Sequence, residues 1–191
     1  MKRFVLALVL CGLAAGVVPA YAQEQHAYSP PPMAPNEFTD PAMTFKAIDG
    51  YVKIPFPPHD PMQFDQPAVV AGFIYHPRQQ DAREISIEMD NFQGSLSGYE
   101  MVVENDLRDK IDGVFFKKKQ LTTLSNGMPA YWQDITIGSG FDTYKRFQYV
   151  WIDGVRGVQL TLTARLGEIT EDQAKAALAN VRATAYPVNR F

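Results

Sequence analysis

FQYVWIDGVRGVQLTLTARLGEITEDQAKAALANVRATAYP, residues 147–187, is the stretch that decides the fold. Phe147, Tyr149 and Trp151 alternate with Gln148 and Val150. Val158, Leu160, Leu162 and Ala164 alternate in the same way with Gln159, Thr161 and Thr163, the period of two that marks strands with one face in a core. Asp153-Gly154 between them reads as a tight hairpin, a turn favouring this dipeptide because both central residues take positive φ. A helix follows at once. Thr170 and Gln173 match a capping box, and Glu171 and Asp172 suit the positive end of the helix dipole. Ala174, Ala177, Leu178, Val181 and Ala185 share one face as far as the stop at Pro187. The alternating stripes make a sheet face, and the helix is there to cover it.

Upstream, the same pattern from Val114 predicts a four-strand antiparallel meander turning at Ser125-Asn126-Gly127 and Gly138-Ser139-Gly140. Before it, Ser97 and Glu100 predict a second capping box, with Leu96 and Met101 as a hydrophobic staple. Tyr99, Val103 and Leu107 form that helix's apolar stripe, and Gly113 marks its end. Ile85, Ile87 and Met89 alternate with Glu84, Ser86 and Glu88, and Ala68 to Tyr75 is an apolar run of strand length. Met43 to Ile48 and Tyr51 to Ile54 read as short strands about the Asp49-Gly50 turn. Pro55, Pro57, Pro58, Pro61 and Pro67 exclude regular structure in the loop that follows. The class is α+β, an antiparallel sheet with helices packed against it.

At the N-terminus, Lys2 and Arg3, the apolar run Phe4 to Val18 and the small-x-small site Ala20-Tyr21-Ala22 follow the order of a secretory signal cleaved after Ala22. An uncleaved anchor is the competing reading, with an apolar run at the short limit for a membrane span. Residues 1–22 are then a signal peptide, and 23–42, with Ser29-Pro30-Pro31-Pro32, Pro35 and Pro41, a flexible leader. Residues 43–191 make a single domain. Cleavage removes Cys11, the only cysteine, so no disulfide is expected, and it removes Lys2 and Arg3, taking the net charge from −3 to −5. That acidity argues against nucleic acid and anionic membrane as partners. No long apolar run follows Ala22, so no stable membrane insertion is expected after cleavage. The expected location is the periplasm or the extracellular space.

Candidate sites are few. His59, Asp60, Asp65 and His76 lie on segments flanking one strand and could hold a divalent metal, but they lack ligand spacing, and solvated loop residues are the preferred reading. No other cofactor is expected. A Gly-x-Ser-x-Gly elbow and a His-Glu-x-x-His helix are both missing, and Ser139 reads as a turn residue. Glu84 and Glu88 share a strand face about 13 Å apart, too far to act on one bond. Lys117, Lys118 and Lys119 place charge on both faces of one strand, the device by which edge strands resist unwanted pairing; as a binding feature they would form a small basic docking spot. Trp132, Tyr144 and Trp151 belong to the crowded aromatics of the meander. Trp132 faces opposite to Tyr131 and Ile135, so one set must look away from a single core, and an exposed aromatic on an uncovered sheet face would mark a partner or ligand groove.

The opening MTFKAIDGYVKIPFP and the closing GVQLTLTARLGEITEDQAKAALANVRAT, with the order of elements over about residues 38–186, resemble the PsbP-like superfamily, which includes periplasmic proteins of the DcrB type. The resemblance implies a PsbP-like α/β/α sandwich and an accessory role without chemistry of its own. The leading expectation is a non-enzymatic periplasmic binding or accessory protein with an envelope protein partner. A second reading is a small-ligand- or metal-binding protein, or an enzyme, that uses the loop around His59. A third is an exported effector or structural subunit.

Overall fold

The computed structural model describes residues 36–55, 68–75, 83–140 and 142–186. In chain order these form β1 (Glu37–Asp40), β2 (Met43–Lys46), β3 (Tyr51–Ile54), β4 (Ala68–Tyr75), β5 (Glu84–Asn91), α1 (Leu96–Lys110), β6 (Phe115–Thr123), β7 (Pro129–Ile137), β8 (Tyr144–Ile152), β9 (Arg156–Arg165), α2 (Glu171–Leu178) and β10 (Val181–Ala183). The meander pairs as its turns predict, with Phe147 opposite Leu162 and Trp151 opposite Val158. It joins a seven-stranded antiparallel sheet in the order β3-β4-β5-β9-β8-β7-β6, while β1-β2-β10 make a separate three-stranded sheet.

Alternation decides what each face of the large sheet receives. Ile85, Ile87, Trp132, Phe147, Trp151, Leu160 and Leu162 point to one side, where they pack with Phe45 and Val181 of the small sheet and Ala174 and Leu178 of α2. Trp132 stacks on Phe147 with ring centroids 5.9 Å apart, and Phe45 meets Phe73 edge-on at 5.4 Å. Each such buried side chain contributes about 1.5–3 kcal/mol by leaving water. The other side carries Ile135 and Val150, covered by Tyr99, Val103 and Leu107 of α1. The result is the expected α+β design, with helices on both faces of an antiparallel sheet. Among the described residues no helix is long and apolar enough to cross a membrane.

Four local expectations are corrected. The cap of α1 is Ser95, whose hydroxyl accepts from the Gly98 amide at 3.1 Å, and not Ser97. Glu100 does not reach back to close a box, because it is buried and accepts from Gln133 Nε2 at 2.8 Å, while Met101 stays 60 % exposed and staples nothing. The Thr170–Gln173 box forms, but α2 ends at Leu178 and Val181 leaves it to pair with Phe45 in β10. Asn180 is a weak helix former, and β-branched Val181 suits the free side of β2. Residues 37–40, read as leader, are β1 and pair with β2, so ordered structure begins before residue 43. At the β8–β9 turn only Gly154 has positive φ, +104°. Asp153 instead accepts from the amides of Val155 and Arg156 with one carboxylate oxygen, a side-chain substitute for the mirror-image turn.

Candidate binding site

The three lysines lie on β6, which is an edge of the large sheet, and they do face both ways. Lys118 Nζ is 2.7 Å from Glu171 of α2, whereas Lys119 bridges Glu100 and Glu104 of α1 and Lys117 lies 3.9 Å from Asp134. The edge strand thus ties down a helix on each face. Lys118 and Lys175 hold the Glu171 carboxyl down at about 2, and Lys119 with Arg108 lowers Glu104. Glu104 in turn raises Lys119.

Both tryptophans are buried, Trp132 at 1 % exposure and Trp151 at 0 %. Neither offers the exposed platform that alternation allowed, because both lie in the core with α2 and the small sheet, and the opposite face, with Ile135 and Val150, is covered by α1. Trp132 Nε1 donates to Glu171 at 3.1 Å, while Trp151 Nε1 has no hydrogen-bond partner. Tyr144 is half-buried at the start of β8, opposite Ile137 and Arg165. His59, Asp60, Asp65 and His76 lie outside the described residues. Among the described residues no group of three or more His, Cys, Asp or Glu could hold a metal ion.

Beneath α1 lies a buried polar layer that alternation had assigned to solvent. Gln148 donates to Gln133 and accepts from Arg146 Nε at 2.6 Å and Thr161 Oγ1 at 3.3 Å, and Gln133 donates to Glu100 of the helix. Arg146 also reaches Glu88 and Gln159 at 3.4 Å, and burial lowers its pKa. A second polar knot joins the two sheets at one end. The Arg156 side chain is fully buried between Asp40 of β1 and Asp153, with Tyr186 stacked on it at 4.4 Å. Burial alone would lower the guanidinium, but the two carboxylates more than offset it and its pKa is raised. Both networks pair donors with acceptors inside the protein, which is how buried polar groups become tolerable.

Free polar groups collect elsewhere, on the outer face of the small sheet. Thr39 stands opposite Thr44, and Thr44 opposite Arg182, so two hydroxyls and a guanidinium form one row across three strands. All three are exposed, and among the described residues Arg182 has no ion-pair partner. They line a groove of about 470 Å³ with Phe38, Lys46 and Ser125. A second hollow of about 380 Å³ continues past Ser125 and Ala179 to Tyr149 and Lys175. The β6–β7 turn forms the shared rim, where Ser125 Oγ donates to the Val181 carbonyl at 2.6 Å and Asn126 donates to that of Ala183. This closes the free edge of β10. Ser125 therefore spends its proton on a carbonyl, and the groove offers hydrogen bonds and positive charge.

No family model and no curated protein sequence matches the chain. Solved structures do. The solution structure of cyanobacterial PsbP (CyanoP) from Synechocystis sp. PCC 6803 superposes with a TM-score of 0.53 at 12 % identity, covering 77 % of this chain and 91 % of that one. Its topology is PsbP-like. Looser similarity extends to a Pseudomonas aeruginosa protein of unknown function, with a TM-score of 0.38, 12 % identity and 50 % and 77 % of the two chains covered. A Bacteroides thetaiotaomicron structure gives 0.46 and 11 %, with 78 % of this chain and 48 % of that one covered. At these identities the PsbP-like likeness is one of fold.

Proposed function

We propose that this chain is an exported, non-enzymatic accessory protein of the cell envelope that binds a protein partner through the groove over Thr39, Thr44 and Arg182. The observation that carries the reading is the PsbP-like topology, spanning 77 % of the chain. The superfamily it resembles consists mostly of accessory and assembly proteins. Export is read from Lys2, Arg3, the apolar run to Val18 and the Ala20-Tyr21-Ala22 site, and the DcrB-type periplasmic members of that superfamily offer a functional analogy. The groove supports a binding role because Thr39, Thr44 and Arg182 in its lining are exposed and make no side-chain bond among the described residues, whereas Gln133 and Gln148 under α1 and the groups around Arg156 already bond one another. Lys46 and Arg182 against Glu37 give its lining a positive balance, which suits an acidic protein surface.

Residues 23–191, purified and used as bait in an envelope extract, test this, with metal content read on the same sample. The expected result is a stoichiometric protein partner whose recovery falls at least tenfold with Arg182→Glu, a change at an exposed position that leaves the fold intact. Metal-loaded bait that recovers no protein overturns the reading and makes His59, Asp60, Asp65 and His76 the residues to change.

A further inference from the structure

Where Tyr99 of α1 meets β5 and β9, one buried carboxylate has no counter-charge. Asp90 is 7 % exposed, and its Oδ1 has no hydrogen-bond partner. The ring of fully buried Tyr99 lies against the backbone of Gly157, the residue directly opposite Asp90. A Cβ on Gly157 would stand 2.1 Å from that ring and 2.4 Å from Asp90 Oδ1, so the helix's aromatic anchor and the carboxylate fill the space a side chain would need. The Tyr99 hydroxyl accepts from Gln159 Nε2 at 3.4 Å, leaving its own proton for Asp90.

The charges facing this point do not help the anion. Asp106 from α1 and Glu88 from β5 are both negative and disfavour it. Arg146, from β8, is turned to Glu88, Gln148, Gln159 and Thr161. Arg156, next to Gly157 in β9, is committed to Asp40 and Asp153. A buried carboxylate without a counter-charge is costly even when it accepts a hydrogen bond, and the cost falls when it takes up a proton.

We propose that Asp90 makes the seating of α1 on the sheet depend on protonation: the first turns of the helix sit down on Gly157 when Asp90 is neutral and loosen when it is charged. Burial, above all, pushes the Asp90 carboxyl up to about 6, with Tyr99 and the Gly157 backbone pulling the other way. The sign follows from linkage. The seated form holds the proton more tightly than an open form with the ordinary value of 3.8, so acid stabilises the seat and the stabilisation is lost as pH rises through 6. Between pH 8 and pH 5 the seated-to-open ratio changes about tenfold. This device does not rest on the accessory role.

Amide hydrogen exchange of the mature protein between pH 5 and 8, corrected for the intrinsic pH dependence of exchange, reads the opening of α1 directly. The expected result is α1 protection about tenfold higher at pH 5 than at pH 8, and an Asp90→Asn variant whose protection is level across the range. Tyr99→Phe removes a group that favours the charged form, so its midpoint moves upward, a shift that mere loss of packing would not produce. Wild type and Asp90→Asn changing in parallel with pH would overturn the proposal. Should Asp90→Asn fail to fold, the carboxyl carbon resonance of Asp90 in wild type decides: a midpoint near 6 shared with α1 amides supports the inference, and one near 4 overturns it.

Discussion

Phe147 and Gln148 are neighbours in β8, both are buried, and they stand on opposite faces of one sheet. Phe147 stacks on Trp132 in a core of aliphatic and aromatic side chains closed by α2 and the small sheet. Gln148 lies in a layer of amides, hydroxyls and charges closed by α1. The apolar face is held by area removed from water, a term indifferent to angle, and tolerates small shifts of what covers it. The polar face is held by directed bonds that must all be made together, so it fixes where α1 lies but gives less net stabilisation per residue.

Substituting the two neighbours measures that difference. Phe147→Ala removes most of a buried ring and leaves a cavity beside Trp132, with an expected loss of about 3–5 kcal/mol in unfolding free energy from urea titration. Gln148→Leu keeps the volume but strands the Gln133 acceptor and the Arg146 and Thr161 donors, with an expected loss of about 1–3 kcal/mol. The readouts should also separate. Phe147→Ala lowers protection throughout the protein, whereas Gln148→Leu lowers it first in α1. Equal losses spread over both helices would show that the two faces do not differ in kind.

The same contrast sets how much could be read in advance. Phe147, Trp151, Leu160 and Leu162 betray their face by alternation alone, and with them the meander, its turns and the cap of α2 were legible. Gln133, Gln148, Gln159 and Thr161 alternate just as regularly, but a polar residue at every second position looks the same facing water as facing a helix. Only the Tyr99-Val103-Leu107 stripe hinted that a second helix needed a sheet face to cover. The Thr39-Thr44-Arg182 row was hidden for another reason. It depends on β10 meeting β2, beside which Thr184 bonds the carbonyl of Ala42 142 residues earlier in the chain, and three-residue β10 runs on from α2 without a turn signal. Unfilled donors on an outer face have no periodicity of their own, so the groove emerges only once the strands are paired.

At the margin of the sheet α2 is tied to the edge strand through one carboxylate, and there the smallest effect is expected. Glu171 of α2 accepts from Lys118 of the edge strand and from Trp132 Nε1, and pairs with Lys175. Its carboxyl lies at about 2, below its ordinary 4.5, because Lys118 and Lys175 favour the charged form. A depressed acid stabilises the fold above its unfolded value, and that contribution disappears as pH falls from about 4.5 to about 2. Because both lysines are well exposed, water screens the pair and Glu171→Gln is expected to cost only about 0.5–1 kcal/mol at pH 7. Gln keeps an acceptor for Trp132, so packing is undisturbed and the difference is electrostatic. Urea midpoints of wild type and Glu171→Gln should therefore converge on acidification towards pH 2, and they should draw together at pH 7 when salt is raised. A gap that survives both treatments would mean that Glu171 acts through Trp132 and the apolar face, and that the edge lysines hold only one helix instead of two.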